Sequence, residues 1–231
     1  MARSISLAQI LWVKPEVRLG CFFYGNKHKA AGQYGSLPVD RFWRIRCKNC
    51  MEFEGLGYSL ILAIDVQYDK TNGLVAGIVL KSWTDDSPSN IYVSKIDNVD
   101  DYLPGQFYQR ELPCILKLLN EHSLKPEYIV VDGYVYLDGC SKSGLGKHLY
   151  DALHGKVKVI GVAKRSYVGI SEEYAIFRGS SKKPLYITSA GETLSAAKLH
   201  IMSMHGVHRI PTMLKKADQL CRLNGSTPIP G

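Results

Sequence analysis

Two apolar runs in the sequence each end in an aspartate. The run Ile61–Ile64 is followed by Asp65, and the run Ile129–Val131 is followed by Asp132. A near-continuous apolar run is typical of a strand buried on both faces, where an unpaired carboxylate costs several kcal/mol. One such acid could mark only a strand end or a turn. Two of them favour a shared partner, most simply a divalent cation.

A third acid, Glu111, lies in a segment with the helical spacing of apolar residues, from about Gln106 to Glu121. If this helix is a crossover between neighbouring strands that carry Asp65 and Asp132, the three carboxylates can converge on one metal pocket. Oxygen ligands suit Mg²⁺, for which Mn²⁺ can substitute. These ions polarise a phosphoryl oxygen and lower the pKa of a bound water, so the acids predict chemistry at a phosphate.

The elements that must position these acids follow from the pattern of apolar residues. It predicts strands over Leu60–Tyr68, Leu74–Trp83, Ile91–Ile96, Tyr128–Asp132, Val157–Val162 and Leu185–Thr188, and helices over about Gln106–Glu121, Leu145–Leu153, Glu192–Met204 and Pro211–Leu223. The Asn-Gly turn at 72–73 predicts a hairpin, and three sequential strands on tight turns make an antiparallel meander. Strands alternating with helices follow, which together indicate one mixed α/β layered domain.

The composition narrows the partners and the compartment. The 231 residues include 29 Lys+Arg and 21 Asp+Glu, a formal charge of +8 that favours polyanions such as nucleic acid. No segment approaches the ~18 apolar residues that a membrane span needs, and no signal cleavage site follows the N-terminal apolar stretch. We therefore expect a cytoplasmic monomer with no membrane partner.

The first 57 residues are the least readable part of the chain. Arg44, Arg46 and Lys48 alternate with apolar residues, which predicts a strand with one basic face. That face could contact phosphates or could simply be solvated. Cys47 and Cys50 form a single CxxC pair, which favours free thiols over a zinc site.

Five short runs carry a resemblance to a known family. They are AIDVQY (63–68), YLPGxxxxRE (102–111), VDG (131–133), GVAK (161–164) and HRIP (208–211). In this order and spacing, over about residues 58–222, the chain resembles the endonuclease V family. The resemblance implies an RNase H-like α/β fold in one domain, with residues 1–57 as a divergent N-terminal portion. It also implies a Mg²⁺-dependent endonuclease that cuts DNA or RNA on the 3′ side of a deaminated purine, hypoxanthine (inosine), one phosphodiester removed from the lesion.

The resemblance also assigns roles to individual residues. Asp65, Glu111 and Asp132 are similar to the metal-binding acids, Lys164 to the catalytic-site lysine, and His208 to the histidine near the metal. The segment 102–105 resembles a wedge that enters the helix beside the flipped base. The residues expected to bind nucleic acid are Tyr102, Leu103, Pro104, Gly105, Gly133, Asp138 and Arg209.

Two positions depart from the family pattern after Asp132. Val135 stands where a glycine is usual, and Asp138 stands where a histidine is usual. A branched side chain would narrow a base pocket, and an anion would repel phosphate unless it pairs with a cation such as Lys142. We therefore expect less strict or altered base recognition. Two alternatives remain, namely a nucleic-acid-binding protein with weak cleavage and another type of RNase H-like nuclease. The three acids argue against a mere binder, because carboxylates repel phosphate.

Overall fold

The structure, a computed structural model, describes residues 60–69, 72–97 and 107–225. In chain order the elements in these ranges are β1 (Ile61–Asp69), β2 (Asn72–Leu80), β3 (Asn90–Ile96), α1 (Tyr108–Glu121), β4 (Tyr128–Val131), α2 (Leu145–Ala152), β5 (Lys158–Ala163), β6 (Ala175–Ile176), β7 (Leu185–Ala190), α3 (Leu194–Ser203) and α4 (Thr212–Gly225). None of the helices in these ranges has the length and apolar character to cross a membrane.

Some expectations fall on residues outside these ranges. They concern the wedge residues Tyr102, Leu103, Pro104 and Gly105, the cysteines Cys47 and Cys50, and the basic residues Arg44, Arg46 and Lys48. They stay predictions. The other expected strands and helices are present, with ends that differ by a few residues. The structure also contains β6, a strand that was not predicted from the sequence, because two residues are too few to show a period.

One seven-stranded sheet joins the strands in the order β3-β2-β1-β4-β5-β7-β6. The pairs β1–β2 and β2–β3 are antiparallel, which confirms the predicted meander. β4 lies parallel to both β1 and β5, which confirms that the first and fourth strands are neighbours. β7 returns antiparallel to β5 and pairs with β6 at the edge. The predicted mixed sheet is therefore confirmed.

The register between β1 and β4 decides where the two aspartates lie. Ile64 pairs with Val131, so Asp65 and Asp132 come next at the same level of two neighbouring parallel strands. β4 ends there, while β1 continues in its pairing with β2. In open α/β sheets, ligands bind in the crevice outside the carboxyl ends of parallel strands. The two acids stand at that edge.

Apolar side chains cover both faces of the sheet, and their alternation assigns each acid to a face. Ile61 and Ala63 pack with residues of α3 and α4, whereas Leu62 and Ile64 pack with residues of α1 and α2. Successive side chains of a strand point to opposite faces. Asp65 therefore shares the face of Ala63, which α4 covers, and Glu111 on α1 approaches from the other face.

The close approach of α1 to the sheet depends on a glycine of β2. A Cβ on Gly77 would lie 2.7 Å from Leu118 Cδ2, closer than real Cβ contacts allow. Leu118 and the neighbouring Ile115 are almost fully buried against this face. The missing side chain thus lets α1 pack close to the sheet, and α1 carries Glu111.

Candidate active site

A cavity of about 280 Å³ opens beside the middle of β1 and at the carboxyl ends of β4 and β5. Its lining residues come from these strands, from the segment between α3 and α4, and from α4: Ile64, Asp65, Asp132, Val162, Lys164, His208, Arg209, Ile210, Leu214, Lys215 and Asp218. The structure therefore brings together Asp65, Asp132, Lys164, His208 and Arg209, which the sequence had selected from distant positions. A cleft with convergent charged groups is the expected form of a catalytic site.

Asp65 and Asp218 form an interacting pair of carboxyl groups in this cavity. Burial raises the pKa of Asp65 above its usual value, and the negative charges of Asp132 and Asp218 raise it further. Hydrogen bonds from Arg222 lower the pKa of Asp218, and a hydrogen bond with Asp65 lowers it as well. The two carboxyl groups thus interact, and the protonated form of Asp65 is favoured relative to that of an ordinary aspartate.

Asp218 is a residue that the sequence reasoning missed, since it had selected only His208 and Arg209 from the C-terminal segment. A weak signal was present. Asp218 directly follows the buried Ala217, which packs in the core, and Arg222 stands four residues later. An acid at the margin of the apolar face of a helix is a candidate for a site, although an i,i+4 ion pair on the surface explains the same pattern.

Glu111 reaches the same group of acids from the opposite face of the sheet. It is only 7% exposed and does not line the cavity. Burial raises its pKa to about 9, and the charges of Asp65 and Asp132 add to this effect. With no cation beside it, this carboxyl group is therefore protonated at neutral pH.

Two cationic side chains that line the cavity make hydrogen bonds to neighbouring residues. Lys164 Nζ donates a hydrogen bond to Asp132 Oδ2 in an ion pair. Arg209 Nη2 donates to the backbone carbonyl oxygen of Lys164 and, at 2.9 Å, to that of Pro184. The lysine that the family resemblance selected thus contacts one of the proposed metal-binding acids directly, and Arg209 fixes the backbone behind it.

The donor set of this site fits a hard divalent cation, although the ligands are not yet in place. The acids near the cavity supply carboxylate oxygens, and the charges of neighbouring acids add to burial in raising the pKa values of Asp65 and Glu111, an effect that a bound cation would oppose. In the described residues, however, no group of three or more His, Cys, Asp or Glu side chains is arranged to hold a metal ion. Asp132 is instead paired with Lys164.

Asp138 has a structural role in the segment after Asp132. Its carboxylate accepts hydrogen bonds from the backbone N–H groups of Cys140, Ser141 and Lys142 and from the Ser141 hydroxyl. The hydrogen bond from the Ser141 hydroxyl, followed by those from the backbone, lowers the pKa of Asp138. The expected pairing with the Lys142 ammonium is not observed, because Lys142 Nζ donates instead to the Tyr167 hydroxyl at 2.6 Å. Asp138 is therefore a turn-stabilising acid in the structure.

Val135 also differs from expectation. Its side chain is fully buried and packs in the core with residues such as Leu149, and its N–H donates to Thr188 Oγ1 at 2.8 Å. A branched side chain in that position fills the core and does not narrow a base pocket. Gly133, an expected nucleic-acid-binding residue, has a φ of 154°, which favours glycine, and no atom of the described residues lies within 4 Å of a Cβ built there. The backbone beside Asp132 is thus open to a ligand.

Known proteins have similar sequences and folds. An endonuclease V from Streptomyces avermitilis is 29% identical over 189 residues, which span 72% of this chain and 80% of that protein. Its crystal structure aligns with a TM-score of 0.57 and 25% identity, over 74% of this chain and 84% of that one. An endonuclease V from Azotobacter vinelandii is 30% identical over 147 residues, 63% of this chain and 62% of its own length.

More distant structures agree in fold. An endonuclease V from Ciona intestinalis, solved with a DNA that contains an inosine followed by a ribo-adenosine, has a TM-score of 0.60 at 17% identity, over 75% of this chain and 88% of that one. These matches confirm the RNase H-like fold. The endonuclease V family profile matches residues 43–199, which is more than half of the sequence. The chain therefore belongs to the endonuclease V family of nucleases.

Proposed function

We propose that the protein is a metal-dependent endonuclease that cuts DNA or RNA on the 3′ side of a deaminated purine, hypoxanthine (inosine). Family membership supports the nuclease activity, and the inosine-containing DNA bound to the Ciona relative supports the substrate. The observation that carries the proposal is the cavity in which Asp65, Asp132 and Asp218 lie together with Lys164. So many carboxylates would repel a phosphate unless a cation lies between them.

In this proposal the carboxylates of Asp65, Glu111, Asp132 and Asp218 hold Mg²⁺, for which Mn²⁺ can substitute. The bound cation supplies Lewis acidity at the phosphoryl group and a water of lowered pKa. Lys164, once released from Asp132, places its ammonium group against the negative charge that develops on the phosphate.

The remaining residues of the site bind the nucleic acid. His208 and Arg209 line the cavity and offer donors to phosphate oxygens, which position the strand without reading its sequence. Gly133 provides the open backbone beside Asp132 that close approach of a nucleotide needs. We propose that Tyr102, Leu103, Pro104 and Gly105 form the wedge that fills the gap left by the flipped base.

A cleavage assay tests the proposal. Matched single-stranded DNA, duplex DNA and RNA oligonucleotides, each with and without one inosine, are incubated with the protein and Mg²⁺, Mn²⁺ or a chelator. We expect metal-dependent cleavage one phosphodiester 3′ of the inosine. Cleavage in the presence of the chelator would refute the metal dependence. Equal cleavage of the unmodified strands would refute the recognition of inosine, and no cleavage of any strand would refute the nuclease activity.

The wedge predicts a difference between substrates. Tyr102→Ala is expected to reduce cleavage of an inosine-containing duplex about 10-fold more than cleavage of the single strand, because a duplex must lose a few kcal/mol of stacking when the base flips. Rates on both substrates under single-turnover conditions measure the ratio. If both rates fall alike and the variant also melts earlier, Tyr102 serves packing instead.

Glu111 predicts a pH dependence of stability in the presence of a chelator. The pKa of its carboxyl group is about 9 in the folded state and near the ordinary value when unfolded, so the folded state binds the proton more tightly. This contribution to stability is complete below about pH 4 and is lost as the pH rises toward 9. Glu111→Gln has no ionisable group at this position, so it does not lose stability in this way as the pH rises. Melting curves of the two proteins should therefore separate progressively above pH 5, with the variant more stable, whereas a constant difference would contradict the assignment.

The sequence-based expectations on organisation complete the proposal. We propose that residues 1–231 form one domain, with a family-like core at 58–222 and a divergent portion at 1–57. The protein is expected to act as a monomer in the cytoplasm. Light scattering on the purified protein measures the oligomeric state, and fluorescence imaging of the tagged protein shows the compartment.

A further inference from the structure

Arg178, just after β6, is a buried cation in an unusual environment. It is 5% exposed, and each hydrogen bond that its guanidinium group makes to a described residue goes to a backbone carbonyl oxygen. Nη1 donates to His208 at 3.1 Å and to Arg209 at 3.4 Å, and Nη2 donates to Gly206 at 3.2 Å and to Met204. The Arg178 side chain thus makes hydrogen bonds with four backbone carbonyl groups of residues 204–209, the segment that follows α3.

A buried cation is costly unless its charge is matched. Burial lowers the pKa of Arg178, and among the described residues no carboxylate oxygen lies within 4 Å of its guanidinium group. The carbonyl dipoles of the 204–209 segment are therefore its main compensation. A planar fork with five donors can reach four carbonyl groups at once, which a lysine ammonium cannot do.

The neighbouring Gly179 also contacts this segment. It has a φ of 60°, and a Cβ built on it would lie 2.2 Å from the carbonyl oxygen of Val207. Only glycine allows that approach without moving the backbone. Arg178 and Gly179 thus hold the 204–209 segment from the same side.

The held segment leads directly to the cavity. His208 and Arg209 line it, and Arg209 donates to the backbone carbonyl of Lys164, whose ammonium group contacts Asp132. Three hydrogen bonds, joined by the covalent chains of Arg209 and Lys164, therefore connect Arg178 to Asp132, although Arg178 itself does not line the cavity.

We propose that Arg178 is a positioning residue, which fixes the 204–209 segment and, through Arg209, the backbone of Lys164 at the catalytic cavity. The catalytic consequence rests on the proposed nuclease function, whereas the mechanical coupling does not. The two parts are therefore tested by separate measurements.

Hydrogen exchange tests the coupling in the intact protein. Arg178→Lys and Arg178→Met are compared with the matched control Tyr128→Phe. The Tyr128 hydroxyl makes hydrogen bonds of 2.9 Å with Glu192 and Lys158, and it lies at the opposite end of β4 from Asp132. Both Arg178 variants should raise the rate of amide hydrogen exchange about 10-fold or more in peptides that cover residues 204–212 and in peptides that cover residues 162–166. In the first segment the Thr212 N–H donates a hydrogen bond to the His205 carbonyl oxygen. The control should change neither segment.

Kinetics test the catalytic part. Each Arg178 variant should lower kcat about 10- to 100-fold because Lys164 is misplaced, and should also raise KM, because the loosened 204–209 segment carries His208 and Arg209, which bind the strand in the proposed function. Tyr128→Phe, even if it lowers the melting temperature as much, should retain kcat.

Each outcome decides the inference. Unchanged exchange at 204–212, or a change that stops there and leaves 162–166 as in the wild type, overturns it. Altered exchange with an unchanged kcat also overturns it. If the wild type cleaves no substrate, the proposed function fails, and the exchange in the two segments alone decides whether Arg178 positions Lys164.

Discussion

Asp65→Asn and Asp132→Asn are each expected to reduce metal-dependent cleavage at least about 100-fold while the protein remains folded. Each variant removes one anionic oxygen ligand, and the metal supplies several kcal/mol of charge stabilisation in such reactions. The stability of Asp65→Asn in a chelator should hold or rise at neutral pH, because burial and the charges of Asp132 and Asp218 already raise the pKa of Asp65. Single-turnover cleavage and thermal melting measure the two effects.

The matched control is Asp86→Asn. Asp86 lies in the exposed turn between β2 and β3, and this turn is at the far end of the sheet because Leu80 pairs with Ile61. Its replacement should leave cleavage and melting unchanged. Full cleavage by Asp65→Asn or Asp132→Asn would remove that residue from the site, and loss of cleavage accompanied by unfolding would leave only a structural role.

Asp218→Asn is expected to have an effect of similar size, at least about 100-fold on cleavage, although the sequence did not single it out. Its carboxylate lines the cavity and interacts with that of Asp65. Because the variant also removes the ion pair with Arg222, a surface pair of little energetic weight, the loss of stability should be small. Cleavage rates over a range of Mn²⁺ concentrations should show a weaker apparent metal affinity.

A second helix offers the comparison that isolates the cavity. Lys147 and Asp151 form the same kind of i,i+4 ion pair on α2, and neither lines the cavity. Asp151→Asn should therefore match Asp218→Asn in melting temperature and match the wild type in cleavage. If the two variants cleave equally well, Asp218 is an ordinary surface acid and the site consists of the three acids predicted from the sequence.

The sequence predicted the larger part of the architecture because its signals are local. Near-continuous apolar runs predicted the strands, and the helical spacing of apolar residues predicted the helices. Asn72-Gly73 predicted the hairpin, which is present, although both residues belong to β2 and pair with Asp69 and Tyr68. The two aspartates that interrupt apolar runs predicted a shared site, and the parallel register of Ile64 with Val131 places them at the same level. Strand β6, with only two residues, had no period to read.

The departures after Asp132 have different outcomes. Asp138 was expected to be an anion near the nucleic-acid path, and Val135 was expected to narrow a base pocket. In the structure, Asp138 accepts hydrogen bonds from backbone N–H groups of its own turn, so its contact with nucleic acid stays a prediction, whereas Val135 is buried in the core. The direction of a side chain in an irregular segment depends on the contacts of that segment, which residue types and spacing do not encode.

The sequence by itself determined which residues could do chemistry in the strands, since a carboxylate that interrupts a buried run is costly wherever the chain folds. Only the tertiary structure decided which other groups join them. Asp218 meets Asp65 because α4 packs on one face of the sheet, and Glu111 approaches from the other face. Arg178 serves the same cavity from a distance through the 204–209 segment. These relations are long-range contacts, which arise from packing between elements far apart in sequence.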